Sequence, residues 1–260
     1  MKEEKVKIKN QSQEILGILH IPDVETDKAI IIAHGYGGYI FTGRFRFIAQ
    51  EFCKSGYTVL RFAFRGYNSE TGDPSPLQFK NLTISGETSD LKSAIDFMND
   101  KGYKRLGFAS ESLGGAIFLL LNDKRIKVAA LWSVNIHIKS IFDDLYGEKI
   151  IKELGEKGVA IYTSHTTGKS FEISKNFWEE VKQIGDISED KIRKINCPML
   201  IIHGTKDQYF STQVAKDLYN FANEPKKLFI VEGANHTFTE PKYQRRLIDS
   251  ILDWFEKWIA

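Results

Sequence analysis

The stretch Arg105-Leu-Gly-Phe-Ala-Ser110, Glu111-Ser112-Leu113-Gly114-Gly115, Ala116-Ile-Phe-Leu-Leu-Leu121 decides the fold. Its first part reads as an apolar strand and its last as an apolar helix, and Ser110 to Gly114 must turn one into the other. A turn that sharp exposes the side chain at its tip and crowds the positions two before and two after, where only small residues fit. Ser112 occupies the tip. Gly114 follows two residues later, and Ser110 stands two before it, a small residue in place of the more usual glycine. A serine hydroxyl is a weak nucleophile unless it is exposed, beside a base and close to donors for an oxyanion. The turn meets the first need and makes Ser112 the candidate nucleophile. Ser110 has no small residue two positions before it and reads as packing. Glu111 reads as a charge held at the turn by hydrogen bonds.

A base and a carboxylate that orients it are the remaining needs. The apolar run Met199-Leu-Ile-Ile202 ends in His203-Gly-Thr-Lys-Asp207, which places Asp207 on a loop just beyond a strand. Lys227-Leu-Phe-Ile-Val231 runs into Glu232-Gly-Ala-Asn-His236, which places His236 beyond the next strand. Loops at the carboxyl ends of parallel strands share one rim of the sheet, so Ser112, Asp207 and His236 can converge. Asp143 or Asp144, after an earlier strand, is the competing acid. Upstream, Lys28-Ala-Ile-Ile-Ile-Ala33 opens into His34-Gly-Tyr-Gly-Gly38, a backbone able to approach a carbonyl closely. The backbone N–H groups of Tyr36 and Leu113 are the expected oxyanion donors. The chemistry needs no metal or organic cofactor, and the histidines lack tight metal-ligand spacing. His34 and His203 end strands and read as buried, hydrogen-bonded turn residues.

With these motifs assembled, the chain resembles the α/β-hydrolase-fold serine esterases over nearly its whole length. Within that group it is most similar to the small cinnamoyl and feruloyl esterases and related acyl hydrolases. The carrying motifs are His34-Gly-Tyr-Gly-Gly38, Val59-Leu-Arg-Phe-Ala-Phe-Arg-Gly66, Ser110-Glu-Ser-Leu-Gly-Gly115, His203-Gly-Thr-Lys-Asp207 and Gly233-Ala-Asn-His-Thr-Phe238. The stretch from Gly158 to Ile173 resembles the hairpin that those esterases carry in an inserted lid, and Asn176-Phe-Trp-Glu-Glu180 the segment after it. The resemblance implies a mostly parallel sheet flanked by helices, and hydrolysis of small or medium acyl or aryl esters through an acyl-enzyme. Tyr162, His165 and Trp178 are then candidate substrate-binding residues of the lid, with Phe171 and Phe177 beside them. For the aromatics, packing of the lid itself is the competing role. Three departures bear on the substrate rather than the triad. Ala63 stands where many relatives are acidic, Arg65-Gly-Tyr-Asn-Ser69 replaces a glycine–histidine-rich turn, and Asp207 is followed by Gln-Tyr-Phe. A monoacylglycerol lipase, a thioesterase or an aminoacyl-peptidase keeps the same triad. A non-catalytic binding protein on this fold is the reading from another class, and the intact triad argues against it.

The chain has 260 residues, enough for one large α/β domain with an insertion. With 36 basic and 34 acidic residues the net charge is +2, which gives no electrostatic case for nucleic acid or an anionic membrane. No apolar run approaches a membrane span and the amino terminus lacks a signal-peptide core, so a cytoplasmic protein acting on a small-molecule ester is expected. Cys53 and Cys197 suit reduced thiols. Monomer and homodimer both stay open. An amino-terminal hairpin (Lys5–Lys9, Glu14–Ile21, turning at residues 10–12) precedes alternating elements. These are strand Ala29–Ala33, helix Gly43–Lys54, strand Thr58–Phe64, helix Glu87–Asn99 with Ser85 or Thr88 as cap, strand Arg105–Ser110, helix Leu113–Asn122 and strand Val128–Ser133. The pattern resumes with strand Pro198–His203, helix Ser211–Phe221, strand Lys227–Val231 and helix Tyr243–Ile259. Residues 1–137 and 195–260 are the expected core, and 138–194 an inserted lid with a short hairpin. The sequence treats that insertion as separable from the loops around Ser112.

Overall fold

A computed structural model describes residues 1–10, 13–38, 40, 43–67, 75, 78–163 and 168–259. Its centre is an eight-stranded sheet in the order β1-β2-β4-β3-β5-β6-β9-β10. The strands are β1 (Lys2–Asn10), β2 (Gln13–Ile21), β3 (Lys28–Ala33), β4 (Thr58–Phe62), β5 (Arg105–Glu111), β6 (Ile126–Trp132), β9 (Met199–Gly204) and β10 (Lys226–Val231). β1 and β2 form the antiparallel hairpin at one edge, and β2 runs antiparallel to β4. From β4 across to β10 all pairings are parallel. The turn expected at residues 10–12 lies partly outside the described residues.

Strands β3, β5, β6 and β9 are apolar runs buried almost throughout, as strands covered on both faces must be. The helices that cover them are α1 (Gly43–Lys54), α2 (Ile84–Asp100), α3 (Leu113–Leu121), α7 (Thr212–Phe221) and α8 (Pro241–Trp258). α1 packs with α8, and α2 with α3. α2 starts earlier than the periodicity suggests. Its cap is Thr83, whose hydroxyl accepts the Gly86 N–H at 3.0 Å, and not Ser85 or Thr88. α3 stops at Asn122, which adopts the left-handed conformation that closes many helices.

Between β6 and β9 the chain leaves the sheet. It forms α4 (Ile138–Lys157, kinked at Gly147), the antiparallel pair β7 (Val159–Thr163) and β8 (Ser170–Ser174), α5 (Lys175–Ile184) and α6 (Glu189–Ile192). The two ends of this excursion are tied by the Ile187 N–H to the Ile136 carbonyl at 2.8 Å. α5 is fixed to α2 by the Glu180 carboxylate, which accepts from the Ser85 N–H and hydroxyl at 2.8 and 2.6 Å.

Strand register brings the site together. Ala33 pairs with Ser110, Glu111 with Trp132, Trp132 with Ile202, and Gly204 with Val231. These pairs lie in neighbouring ranks at the carboxyl ends of the parallel strands, so the loops that follow leave from the same rim.

Candidate active site

Ser112 sits between β5 and α3 at φ 51° and ψ −122°, a conformation L-residues rarely adopt. The strain is held by its surroundings. The Ser112 N–H donates to the Trp132 carbonyl at 2.9 Å, and the Ser112 carbonyl accepts the Gly115 N–H at 2.9 Å. The small residues nearby have steric reasons. A Cβ on Gly114 would lie 2.6 Å from the His34 carbonyl oxygen, and one on Gly35 would lie 2.8 Å from the Ser112 Cβ. Ser110 is fully buried, and its hydroxyl has no hydrogen-bond partner among the described residues, as a packing residue would.

Asp207 and His236 meet. His236 Nδ1 lies 2.7 Å from Asp207 Oδ2. The same carboxylate accepts the N–H groups of Tyr209 and Phe210 at 2.9 and 3.0 Å, and His203 Nε2 lies 3.3 Å from Oδ2. Burial on its own pushes the Asp207 carboxyl up, but the hydrogen bond and charge of His236, with the two backbone donors, hold it below the usual carboxylate range. The rings of Tyr209 and Phe210 stand edge-on to the imidazole, 5.0 and 5.2 Å away. The His236 carbonyl accepts the Ser133 hydroxyl at 2.7 Å. The Gln-Tyr-Phe that departs from the relatives' pattern therefore grips both partners of the pair. Asp143 is engaged elsewhere, with Lys139 at 2.5 Å on α4.

Behind the turn, Glu111 is buried in a two-pronged ion pair with Arg44, one prong 2.7 Å long, and accepts the Trp132 indole N–H at 3.1 Å. Burial pushes this carboxyl up, and the charge and hydrogen bonds of Arg44 outweigh it, so Glu111 stays ionised. Arg44 carries no sequence signal of its own; only the charge at Glu111 announced that a partner was required.

Ser112 and His236 line one cavity of about 1170 Å³. That exceeds the usual range of about 300–1,000 Å³ for small-ligand sites. Tyr36 and Leu113 also line it. One part of the wall is mainly apolar, with Ile138, Ile141, Phe142 and Leu145 of α4 and Val214 of α7, and Ser140 and Asp144 of α4 also line it; another is polar, with Arg44, Gln208, Thr237 and Gln244. Of the aromatic residues of the excursion singled out in the sequence, Tyr162 and Phe171 reach this wall, whereas Phe177 and Trp178 are buried and are not among the lining residues. His165 lies outside the described residues. His137 lines the rim, with Nδ1 2.9 Å from Asp186.

The Gly35–Gly38 loop is pinned from behind by His34. With Nδ1 donating to the Gly35 carbonyl at 2.8 Å, Nε2 accepts the Phe64 N–H at 3.1 Å. Burial pushes this histidine down to about 4, so it holds the loop as a neutral ring.

The strand order, the parallel pairings and the strained turn at Ser112 define an α/β-hydrolase fold. The chain belongs to the prolyl oligopeptidase family, whose model matches residues 44–260. It is 24% identical over 202 residues to the uncharacterized protein Rv2307c of Mycobacterium tuberculosis, an alignment covering 75% of this chain and 59% of that protein. The chain thus spans about three fifths of the length of that curated relative. Among solved structures it is similar to Est1E of Butyrivibrio proteoclasticus, crystallised with ferulic acid bound. The TM-score is 0.81 at 18% identity, over 98% of this chain and 99% of that one. It is likewise similar to the esterase domain of a Rhodothermus marinus protein, with a TM-score of 0.74 at 20% identity over the full length of both. Among the described residues no helix is long and apolar enough to cross a membrane.

Proposed function

We propose that the chain is a serine hydrolase of carboxylic esters. The observation that carries this reading is the partly buried, strained Ser112, which lines the same cavity as the Asp207-bound His236. In the reaction, Ser112 Oγ attacks the acyl carbon and His236 Nε2 takes its proton, Nδ1 being held by Asp207. The oxyanion forms against the N–H groups of Tyr36 and Leu113. His236 then protonates the departing alcohol, which leaves the acyl group on Ser112. A water deprotonated by His236 attacks the acyl carbon and releases the acid. Asp207 remains ionised throughout, consistent with its lowered pKa. No metal or organic cofactor enters.

The inserted segment 138–194 acts as a lid whose α4 face and Tyr162 bound the acyl side of the cavity. An apolar wall of that kind suits aryl acyl groups, and Est1E, with ferulic acid bound, has a similar overall structure. Cinnamoyl and feruloyl esters are therefore the leading substrate class. Family membership favours one competing bond, the amide of an aminoacyl or peptide substrate, which the same machinery would cleave. The test is turnover by purified protein of nitrophenyl esters, methyl ferulate, a thioester and an aminoacyl anilide. Preference for the ferulate supports the reading, and activity confined to the anilide contradicts it.

A further inference from the structure

Nothing in the reaction above uses the side chain of Tyr36, yet the structure gives it a definite place. Its backbone lies in the loop Gly35-Tyr36-Gly37-Gly38, where Gly37 has φ +68°. Glycine on both sides removes steric restraint on the Tyr36 peptide planes, and among the described residues the loop's own backbone holds them only by the turn bond from the Gly38 N–H to the Gly35 carbonyl at 3.0 Å. An oxyanion donor works only when its N–H is held on target, and displacement by about 1 Å can cost about 100-fold in rate. His34 fixes the Gly35 carbonyl from behind. On the other side, the Tyr36 ring reaches out of the sheet rim into the insertion.

There it lies 5.1 Å from Phe142, 5.5 Å from Phe177 and 5.9 Å from Tyr162, with Phe79 of the core 5.1 Å away. Its hydroxyl is 2.7 Å from that of Tyr146 on α4. Burial raises both hydroxyls well above the usual tyrosine range, so both stay protonated and one donates to the other. Phe142, Tyr146, Tyr162 and Phe177 come from α4, β7 and α5, three of the five elements of the excursion. The aromatic core of the insertion is built around a residue of the loop beside Ser112.

We propose that this aromatic core positions the Tyr36 N–H, so that the insertion sets the rate of turnover as well as the choice of acyl group. The inference rests on the serine-hydrolase reading. Phe177 and Tyr146 are its positioning residues. Both are buried and neither is among the residues lining the cavity, so they act on the reaction through Tyr36. A segment expected from sequence to be separable is joined by these rings to the oxyanion loop.

The test uses the full chain and 4-nitrophenyl acetate, whose two-carbon acyl group has no need of the lid. Phe177→Ala should lower kcat about tenfold or more with KM within about twofold, and Phe177→Leu should recover part of the loss. Tyr146→Phe, which removes only the shared hydrogen bond, should lower kcat severalfold. Leu154→Ala is the control, a buried α4 residue that neither lines the cavity nor belongs to the ring cluster, and it should keep kcat within twofold. Full kcat in folded Phe177→Ala overturns the proposal, as does an equal loss in Leu154→Ala. Should Phe177→Ala fail to fold, unchanged kcat in Tyr146→Phe overturns it. A wild-type chain that cleaves no ester and resists phosphonate at Ser112 defeats the serine-hydrolase reading and this inference together. An active wild type with indifferent variants defeats this inference alone.

Discussion

Around Ser112 the chain is held by strand ends in register, whereas around Tyr36 it is held by rings. The rim loops leave paired strands, of which β3, β5, β6 and β9 are buried almost throughout, and each candidate group is fixed by short polar contacts: Ser112 by Trp132, Asp207 by three N–H donors, His34 by Gly35 and Phe64. Among the described residues the insertion's sheet is a two-stranded ribbon, which is marginal alone, and aromatic contacts join it to α4, and α4 to α5. Polar contacts at a rim fix single atoms. Packed rings fix a body, and they transmit its position to whatever residue they share, here Tyr36.

The largest effect that separates the two regions should come from the rim. Ser112→Ala should fold normally and lose roughly 10⁶-fold in ester turnover, and His236→Ala should match it, by analogy with a well-studied protease triad. Asp207→Asn should cost about 10⁴-fold, because the amide favours the wrong tautomer and cannot stabilise imidazolium. Retained turnover in either variant, measured on the best ester of the panel, breaks the assignment of the rim.

Arg44→Ala strips the partner from a buried carboxylate. It should destabilise the fold by about 3 kcal/mol, the lower end for a broken buried pair because Arg44 keeps some solvent contact. A shift in the urea midpoint checks this, and a neutral result would mean that Glu111 is held without its ion pair.

The fold also carries a pH signature, from His34 at the rim and His20 on β2 away from it. Burial pushes His20 and His34 down to about 4, from an ordinary value near 6.5. Below pH 6.5 the unfolded chain binds protons that the folded chain refuses, so stability is full above 6.5 and falls as pH drops toward 4. Asp207 and Glu111, whose carboxyls are held low, add their loss only below the ordinary carboxylate range. Glu87, whose carboxyl burial holds well above its ordinary value, gains stability as pH falls and works in the opposite sense, so the test is made in Glu87→Gln: its urea midpoints from pH 7 to 4.5 should decline steadily, and a flat profile contradicts neutral, buried rings.

The smallest effect belongs to the part of the cavity wall that the insertion supplies. Tyr162→Leu should shift the ratio of kcat/KM for methyl ferulate over 4-nitrophenyl acetate by about 1–3 kcal/mol. An unchanged ratio would leave Tyr162 to packing.

The two regions were also unequally legible in sequence. Buried parallel strands are short apolar runs, so β3, β5, β6 and β9 and the loops after them could be read directly, and the order Ser112, Asp207, His236 followed. The hairpin of the insertion was legible from its likeness to related esterases. Its burial was not, because Phe177 and Trp178 have the composition of a pocket wall and the packing of a core. The cap of α2 was misplaced by two residues or more, since several hydroxyls in Thr83-Ile-Ser-Gly-Glu-Thr88 qualify and only the Gly86 N–H chooses between them. Arg44 and the His203 contact to Asp207 escaped because each joins residues that only strand register or the turn after β9 brings together. The reach of Tyr36 escaped for the same reason. Its neighbours lie about a hundred residues downstream, and nothing local marks the ring as more than a bulky residue among glycines.

The central claim is that Ser112 is the nucleophile, and covalent capture tests it most directly. A fluorophosphonate incubated with the native protein should form one adduct per chain, mapped by peptide mass spectrometry to Ser112 and abolished in both Ser112→Ala and His236→Ala. An adduct on another serine, or ester turnover that survives complete modification of Ser112, would contradict the account.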